Sequence, residues 1–206
     1  MYRITEGIAS GLEYLHASII HGALKCKNVF VSLDFKTSNI FKVKISDFGL
    51  NEFQADNAPL KHWPTVKYRS SHSMASLSNK EISSLKASKM DDMYAFGLIF
   101  RSMLSGKEPF TEITEWDAIE RLKKNDIEPL PDNCNFLEAH FINACMNSES
   151  EFTATKAIKA CKDLLSRPEK FTLLKTALHT FDESLPPLDT LVRASIYEFF
   201  MKLHFQ

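Results

Sequence analysis

The sequence predicts a mostly helical domain with one short β-hairpin near its start. Apolar residues recur at helical spacing in the first segment and in several segments of the second half. Between these parts lie two short runs of β-branched and aromatic residues, separated by a polar stretch. With 206 residues, the chain is long enough for one domain with an appended helical segment.

Local patterns define the first helix and the hairpin. The runs NVFVSL at 28–33 and IFKVKIS at 40–46 predict two antiparallel strands. The helix before them is amphipathic and should end near His16. It is predicted by the spacing of Ile4, Ile8, Leu12 and Leu15.

The remainder divides into a long polar stretch and a series of helices. Residues 48–89 are rich in Ser, Asn, Lys and His, and a polar connection of this length is typical of a functional loop. The most apolar helix is expected at 90–106, in the centre of the core, with Gly106 as its stop. Further helices are predicted at 116–124, 135–146, 153–165, 169–181 and 188–204.

Composition excludes several classes of function. The chain has 25 Lys and Arg residues against 26 Asp and Glu residues, so its net charge is only −1. This charge gives no reason to expect nucleic acid or a membrane surface as a partner. The four cysteines contain no C-x-x-C pair, which indicates buried thiols in a reducing compartment and no zinc site. Charges interrupt the first residues, so we expect no signal peptide or membrane segment in this chain and a cytoplasmic location.

Three motifs in series carry a family resemblance. His21, Leu24 and Asn28 match the pattern H-R-D-L-x-x-x-N, and SDFG at 46–49 contains D-F-G. DDMYAFGLIF follows at 91–100. In this order the motifs resemble the C-terminal lobe of a eukaryotic protein kinase. The resemblance covers about residues 4–165, so we assign 1–165 to a protein-kinase-like C-lobe and 166–206 to a C-terminal helical extension.

The main departure from the kinase pattern lies in the H-R-D motif. Here Ala23 stands at the position of the catalytic Asp, and Gly22 stands at the position of the Arg. In the family that Asp accepts or orients the proton of the substrate hydroxyl, which a methyl group cannot do. Asp34, beyond the first strand, is not placed to substitute. The resemblance therefore implies a kinase fold that is catalytically inactive.

The second departure is the absence of N-terminal-lobe motifs. No G-x-G-x-x-G and no V-A-I-K lysine occur in the sequence. We expect a C-lobe without its N-terminal lobe, whose nucleotide site would consist of its floor only. Alternatively, the missing motifs are explained if the chain is a truncated gene model of a longer kinase or receptor.

Other family site residues are retained. Asn28 and Asp47 fall on the two magnesium-holding positions, and Phe30 falls on the floor of the adenine pocket. Lys25 matches a loop lysine that touches the transferred phosphate. The resemblance thus implies ATP and Mg²⁺, with binding weak or absent. Structural alternatives are a loop-pinning role for Asn28, a turn for Asp47, surface charge for Lys25 and core packing for Phe30.

The resemblance also assigns scaffold and regulatory roles. Asp92 should hold the backbone of the loop at 21–28, with His21 and Phe48 stacked nearby. The polar stretch corresponds to an activation segment whose A-P-E glutamate is His72 here and whose arginine partner is near Thr153 or Arg167. Without that ion pair, the segment should be looser. Residues that could accept phosphate there are Thr65, Tyr68, Ser70, Ser71 and Ser73.

Two functional hypotheses follow. The replacement at Ala23 favours a pseudokinase that acts as an interaction or regulatory module in signalling, with a protein partner such as a kinase or receptor. The retained Asn28 and Asp47 allow an active or residually active ATP-dependent protein kinase instead, for serine/threonine or tyrosine. The loop is similar to Janus kinase pseudokinase and guanylyl cyclase kinase-homology domains, and other stretches are similar to Raf and the kinase suppressor of Ras. We therefore expect a divergent member of the tyrosine-kinase-like branch.

Overall fold

The computed structural model describes residues 1–33, 41–49, 66–75, 87–147 and 151–166. They belong to one compact unit, Met1–Ser166. The helices predicted at 169–181 and 188–204 lie outside the described residues, as does most of the predicted activation segment. In the part of the chain that is described, no helix is long and apolar enough to cross a membrane.

The described elements are mostly helical, with one two-stranded antiparallel sheet. This confirms the predicted fold class, and within the described residues the element bounds agree with the predicted ones within two residues. The strands are β1 (Val29–Leu33) and β2 (Phe41–Ile45), and short 3-10 turns span Cys26–Asn28 and Val66–Tyr68. The helices are α1 (Tyr2–His16), α2 (Ser71–Ala75), α3 (Lys89–Ser105), α4 (Glu115–Lys123), α5 (Phe136–Met146) and α6 (Ala154–Ser166).

Two glycines allow α1 to approach the hairpin closely. A Cβ atom at Gly7 would lie 2.7 Å from Val43 Cγ2, and one at Gly11 would lie 3.0 Å from Ile45 Cδ1. A real Cβ essentially never makes a contact as short as the one at Gly7, and the one at Gly11 is tighter than nine in ten, so larger residues would force α1 and β2 to shift. Gly7 and Gly11 therefore lie where α1 packs closely against β2, which explains why they occur within the helix.

Helix α3 forms the centre of the core, as predicted. It begins with a capping box between Ser88 and Asp91 and ends at Gly106, whose φ of 70° is the left-handed conformation that glycine tolerates. Its side chains are buried around most of the circumference. The ring of Phe100 lies 4.9 Å, centroid to centroid, from that of Phe141 on α5, which joins the two helices.

The polar stretch contains structure that periodicity did not predict. The 3-10 turn Val66–Tyr68 and the five-residue α2 bury Val66, Tyr68 and Met74. The ammonium group of Lys67 also donates to the carbonyl of Phe110, 2.7 Å away, ahead of α4. Tertiary contacts stabilise these short elements, and one turn of helix is too short to produce a recognisable repeat.

All four cysteines are free thiols, and they differ in burial. Cys145 and Cys161 are buried in the core, whereas Cys26 and Cys134 are only partly buried. The expectation of buried thiols is therefore correct for two of the four. Burial raises the pKa of the Cys145 and Cys161 thiols, so both remain protonated and unreactive at neutral pH.

Candidate functional site

The loop of residues 21–28, called here the 21–28 loop, is held by Asp92 at the start of α3. The amides of His21 and Gly22 donate to the two carboxylate oxygens of Asp92, each over 2.8 Å. His16, in the last turn of α1, places Nε2 2.9 Å from Asp92 Oδ2. Asp92 is 1% exposed, so these contacts replace the water that its carboxylate would otherwise bind. The scaffold role expected of Asp92 agrees with this geometry.

The D-F-G turn docks onto the same loop. The Phe48 ring meets the His21 ring edge to face, with centroids 6.3 Å apart. The amide of Gly49 donates to the His21 carbonyl over 3.1 Å, and that of Ser46 donates to the Asn28 carbonyl over 2.9 Å. The expected stacking of His21 and Phe48 is therefore present.

The environment of His21 favours its neutral form. Burial lowers the pKa of His21, and the nearby carboxylate of Asp92 opposes this effect only in part. His21 Nδ1 also accepts a hydrogen bond from the Ala23 amide over 3.3 Å. A neutral imidazole can accept this bond, whereas an imidazolium cannot.

Position 23 is structured but offers no proton acceptor. Ala23 is buried, its amide contacts His21 and its carbonyl accepts a hydrogen bond from Asn28 Nδ2 over 2.9 Å. Its methyl group has neither lone pairs nor charge. The site can therefore hold the loop in shape, but this residue cannot take the proton of a hydroxyl nucleophile.

Asn28 and Asp47, the predicted metal ligands, lie in different environments. Asn28 is buried and pins the loop through Ala23, so the structural alternative considered for it is present. Asp47 is exposed, and its φ of 62° is a left-handed conformation that Asp adopts more readily than most residues. Asp47 directly follows Ser46, whose amide contacts Asn28, so the backbone brings the two residues to one end of the hairpin.

These two side chains suit Mg²⁺ by chemistry. A carboxylate and an amide oxygen are both hard oxygen ligands, and the hydrogen bond from Asn28 to Ala23 uses the side-chain nitrogen of Asn28. Among the described residues, no group of three His, Cys, Asp or Glu side chains could hold a metal ion. A metal ion bound by Asn28 and Asp47 would therefore need further ligands from outside the described residues, such as nucleotide phosphates and water.

Phe30 and Lys25 complete the predicted site. Phe30 is 57% exposed, so the alternative that it packs in the core is wrong. In the sheet register it lies opposite Lys44, and both side chains are exposed on one face, whereas Val43 and Ile45 on the other face pack against the core. Lys25 is partly buried at the start of the 3-10 turn. The nucleotide and phosphate roles of these residues stay predictions.

Residues 66–75, the longest described part of the predicted activation segment, are called here the 66–75 segment. It makes hydrogen bonds to the start of α3 and to the 21–28 loop, and the expectation of a looser segment stays a prediction. Ser70 and Ser73 both donate hydroxyl hydrogen bonds to Asp91 Oδ1, over 2.7 and 2.8 Å. The Tyr68 hydroxyl accepts a long hydrogen bond of 3.4 Å from the Cys26 amide, which links the segment to the 21–28 loop.

Most of the hydroxyls considered for phosphorylation are not accessible. Tyr68, Ser70 and Ser71 are buried, and only Ser73 is partly exposed among the four that the structure describes. A kinase could reach the buried ones only if the segment opened. Thr65 lies outside the described residues.

The structure describes one residue at each of the two positions that form the A-P-E ion pair in the family. His72, at the glutamate position, is exposed on α2. Thr153 contributes its hydroxyl to the start of α6, where it accepts from the Lys156 amide over 3.4 Å. Arg167 lies outside the described residues, so the loss of this ion pair stays a prediction.

Sequence reasoning missed Asp91 and Arg69. Asp91 accepts bonds from three serines, and the Arg69 guanidinium is buried with Nη1 4.0 Å from Asp91 Oδ2. Burial acts to raise the pKa of Asp91, but the hydrogen bonds from Ser70, Ser73 and Ser88 outweigh it and lower the pKa. The spacing Ser88-x-x-Asp91 was a visible capping signal, but it reveals only the local half of these contacts.

A second concave region lies away from these residues. A cleft of about 500 Å³ is lined by parts of α3, α5 and the chain after α4. The Arg101 guanidinium at this cleft is 2.9 Å from Glu128 and also donates to the Pro129 carbonyl. The charged side chains that line the cleft, Arg101 and Glu128, are thus paired with each other. None of the residues that line the cleft belongs to the predicted site.

Comparison with known proteins gives a consistent result. The family described as protein tyrosine and serine/threonine kinase matches residues 1–158. A putative serine/threonine-protein kinase/receptor of Acanthamoeba polyphaga mimivirus is 26% identical over 151 residues, or 72% of this chain and 8% of that protein. A probable LRR receptor-like serine/threonine-protein kinase of Arabidopsis thaliana is 28% identical over 144 residues, or 64% of this chain and 14% of that protein.

A third relative covers a similar region. Mitogen-activated protein kinase kinase kinase 13 of Pongo abelii is 31% identical over 132 residues, which are 63% of this chain and 12% of that protein. The chain thus spans only a small part of the length of the curated relatives it matches.

Proposed function

The chain belongs to the protein tyrosine and serine/threonine kinase family, and we propose that it is a non-catalytic member, a pseudokinase of the tyrosine-kinase-like branch. Its function is that of an interaction or regulatory module in signalling. Its partner is a protein, a kinase or a receptor, and it acts in the cytoplasm. The free state of all four cysteines supports a reducing compartment.

The observation that carries this proposal is Ala23. In the family, phosphoryl transfer depends on positioning the nucleophile and on stabilising charge. Loss of a positioned base alone lowers a rate by about 10² to 10⁴. Ala23 lies in a loop whose backbone is still held by Asp92 and Asn28, so in this loop the reacting group is missing while the supporting contacts remain.

The retained scaffold supports a binding role. The 21–28 loop, the D-F-G turn and Asp92 still contact one another although the base is absent. A rigid surface without turnover is what an interaction module needs, because preorganisation reduces the entropy lost on binding.

The test is transfer of radiolabelled phosphate from ATP, with Mg²⁺ or Mn²⁺, to the chain itself and to a basic substrate protein. The control variant is Asp47→Asn, which removes the charge and keeps a residue that tolerates the left-handed backbone at φ 62°. We expect wild type and variant to incorporate phosphate equally and only at background level. Incorporation by wild type that Asp47→Asn abolishes would reject the proposal.

An active kinase is the second candidate, and the retained pair of Asn28 and Asp47 favours it. The family uses ATP and Mg²⁺, and in this chain the Asp47 carboxylate and the Asn28 amide oxygen would hold the metal. A metal bound there would neutralise charge on the nucleotide phosphates. Under our proposal such binding is weak or absent.

A thermal-shift titration with ATP separates nucleotide binding from turnover. A ligand at 100 times its Kd stabilises the folded state by about 2.7 kcal/mol, which gives a measurable rise in Tm. A rise that needs Mg²⁺ and disappears in Asp47→Asn would favour the second candidate. Asp47→Asn is a better variant here than Asn28→Ala, because Asn28 also pins the loop.

A further inference from the structure

One carboxylate connects α3 to the 66–75 segment. Asp91 is 3% exposed. Its Oδ2 accepts from the amide and the hydroxyl of Ser88, over 2.9 and 2.8 Å, which forms the cap of α3. Its Oδ1 accepts from the hydroxyls of Ser70 and Ser73 and from the Ser70 amide, over 2.7, 2.8 and 3.3 Å. The two oxygens therefore serve two different parts of the chain.

Capping alone does not require the second set of bonds. Helix α4 has a related arrangement, with Thr114 as its cap and Asp117 three residues later, although the reciprocal bond from the cap amide is present only in α3. Thr114 donates its hydroxyl to Asp117 Oδ2 over 2.7 Å, and the Asp117 amide donates back over 3.2 Å. Asp117 is exposed, and its contacts with the cap residue form without a distant partner. The Oδ1 contacts of Asp91 are thus additional to its capping role.

The surroundings make these contacts strong. Hydrogen bonds to an ionised carboxylate are roughly twice as strong as neutral ones, and the burial of Asp91 removes competition from water. The Arg69 guanidinium, also in the segment, lies 4.0 Å from Asp91 and supplies positive charge beside it. The short α2 then begins one residue after Ser70, and the Met74 amide donates to the Ser70 carbonyl over 3.2 Å.

We propose that Asp91 is a latch that fixes the 66–75 segment on α3 without a phosphate group and without the A-P-E glutamate. The family position of that glutamate is occupied by His72, which is exposed, so a residue on α3 has taken over the anchoring of this end of the segment. The latch operates whether or not the chain transfers phosphate, so it stands independently of the proposed function.

Amide hydrogen exchange of the 206-residue chain tests the latch. The variants are Asp91→Asn and the control Asp117→Asn, which changes the Asp at the corresponding position of α4, three residues after its cap. In Asp91→Asn we expect the amides of Ser70, Ser73 and Met74 to exchange about 10- to 100-fold faster, relative to amides of α5. Asp117→Asn should leave them unchanged. Equal exchange at these amides in wild type and folded Asp91→Asn would overturn the proposal.

A pair of variants at Ser73 decides the question even if Asp91→Asn fails to fold. Ser73→Ala removes one hydrogen bond and keeps the carboxylate, whereas Ser73→Asp places a second negative charge within reach of Asp91. We expect exchange of the Ser70 and Met74 amides to be slowest in wild type, faster in Ser73→Ala and fastest in Ser73→Asp. If Ser73→Asp is as protected as wild type, the Asp91 carboxylate does not hold the segment.

Discussion

Asp91 and Asp92 are adjacent at the start of α3, yet they hold two different regions of the molecule. Asp92 binds the backbone amides of the 21–28 loop, and Asp91 binds serine hydroxyls of the 66–75 segment. The first contact uses main-chain donors that any residue except proline would supply, whereas the second depends on particular side chains. The loop can therefore keep its shape after losing its catalytic residue, whereas the segment needs its own serines.

The largest expected effect comes from Asp92→Asn. In this variant a side-chain NH₂ group, which is a donor, replaces one of the two carboxylate oxygens. The buried backbone N–H of either His21 or Gly22 therefore loses its acceptor. We expect the free energy of unfolding to fall by about 3 kcal/mol. Urea denaturation followed by circular dichroism measures it, with exposed Asp117→Asn as the control. A loss below about 1 kcal/mol would show that the loop is held by other contacts.

The second prediction concerns acid pH and His21. Because burial lowers the folded-state pKa of His21 below its unfolded value, the contribution of this residue to stability is present above about pH 6.5. It decreases as the pH falls below that value, by at most about 1.4 kcal/mol between pH 7.5 and 5.5. The variant His21→Phe, which keeps the ring contact with Phe48, should show a smaller decrease in urea denaturation.

Two other histidines affect how that measurement is interpreted. Burial also lowers the pKa of His140, so part of the decrease should persist in His21→Phe. His72 is exposed, and His72→Gln serves as the control. If His21→Phe and wild type lose the same stability between the two pH values, His21 does not contribute as a buried neutral group.

A third, smaller effect is expected from the backbone at Gly22, whose φ is 72°. An L-residue in this conformation costs about 1 kcal/mol, so Gly22→Ala should lower the free energy of unfolding by at least that amount. Gly49 has a φ of 75° and open space around its Cβ position, so Gly49→Ala measures the backbone cost alone. A neutral Gly22→Ala would mean that the loop can change its backbone without loss.

The smallest effect tests how independent the two regions are. The Tyr68 hydroxyl links them through the Cys26 amide, but at 3.4 Å the bond is long. Tyr68→Phe should lower the free energy of unfolding by about 0.5 kcal/mol, with no change in the control Tyr14→Phe, whose side chain is 83% exposed. A loss above about 2 kcal/mol would contradict separate anchoring of the two regions.

The two regions also differ in how far the sequence predicts them. The frame around the 21–28 loop was predicted because its elements have strong local patterns, such as the spacing of Ile8 and Leu12 in α1 and the apolar α3. The role of Asp92 came from resemblance to the kinase motif and not from spacing. The strand pattern alone does not predict the exposure of Phe30, because it does not say which face another element covers. The expectation came from the resemblance, which puts Phe30 on the floor of a pocket without an N-terminal lobe, and Phe30 is 57% exposed.

The 66–75 segment was predicted only as a polar loop. Helix α2 has five residues, too few for a period, and its stability depends on Asp91, which lies 18 to 21 residues away from Ser73 and Ser70. Serines close to an aspartate in sequence indicate a cap, but serines at this distance give no signal. Only the folded chain brings them together.

The most direct test of the scaffold is the amide hydrogen exchange of His21 and Gly22. If Asp92 maintains the loop despite Ala23, both amides should be protected in wild type. They should exchange about 10- to 100-fold faster in Asp92→Asn, relative to amides of α5. The Ser70 and Met74 amides should keep their protection in that variant, because Asp91 is unchanged. Rapid exchange of His21 and Gly22 in wild type would contradict a held catalytic loop.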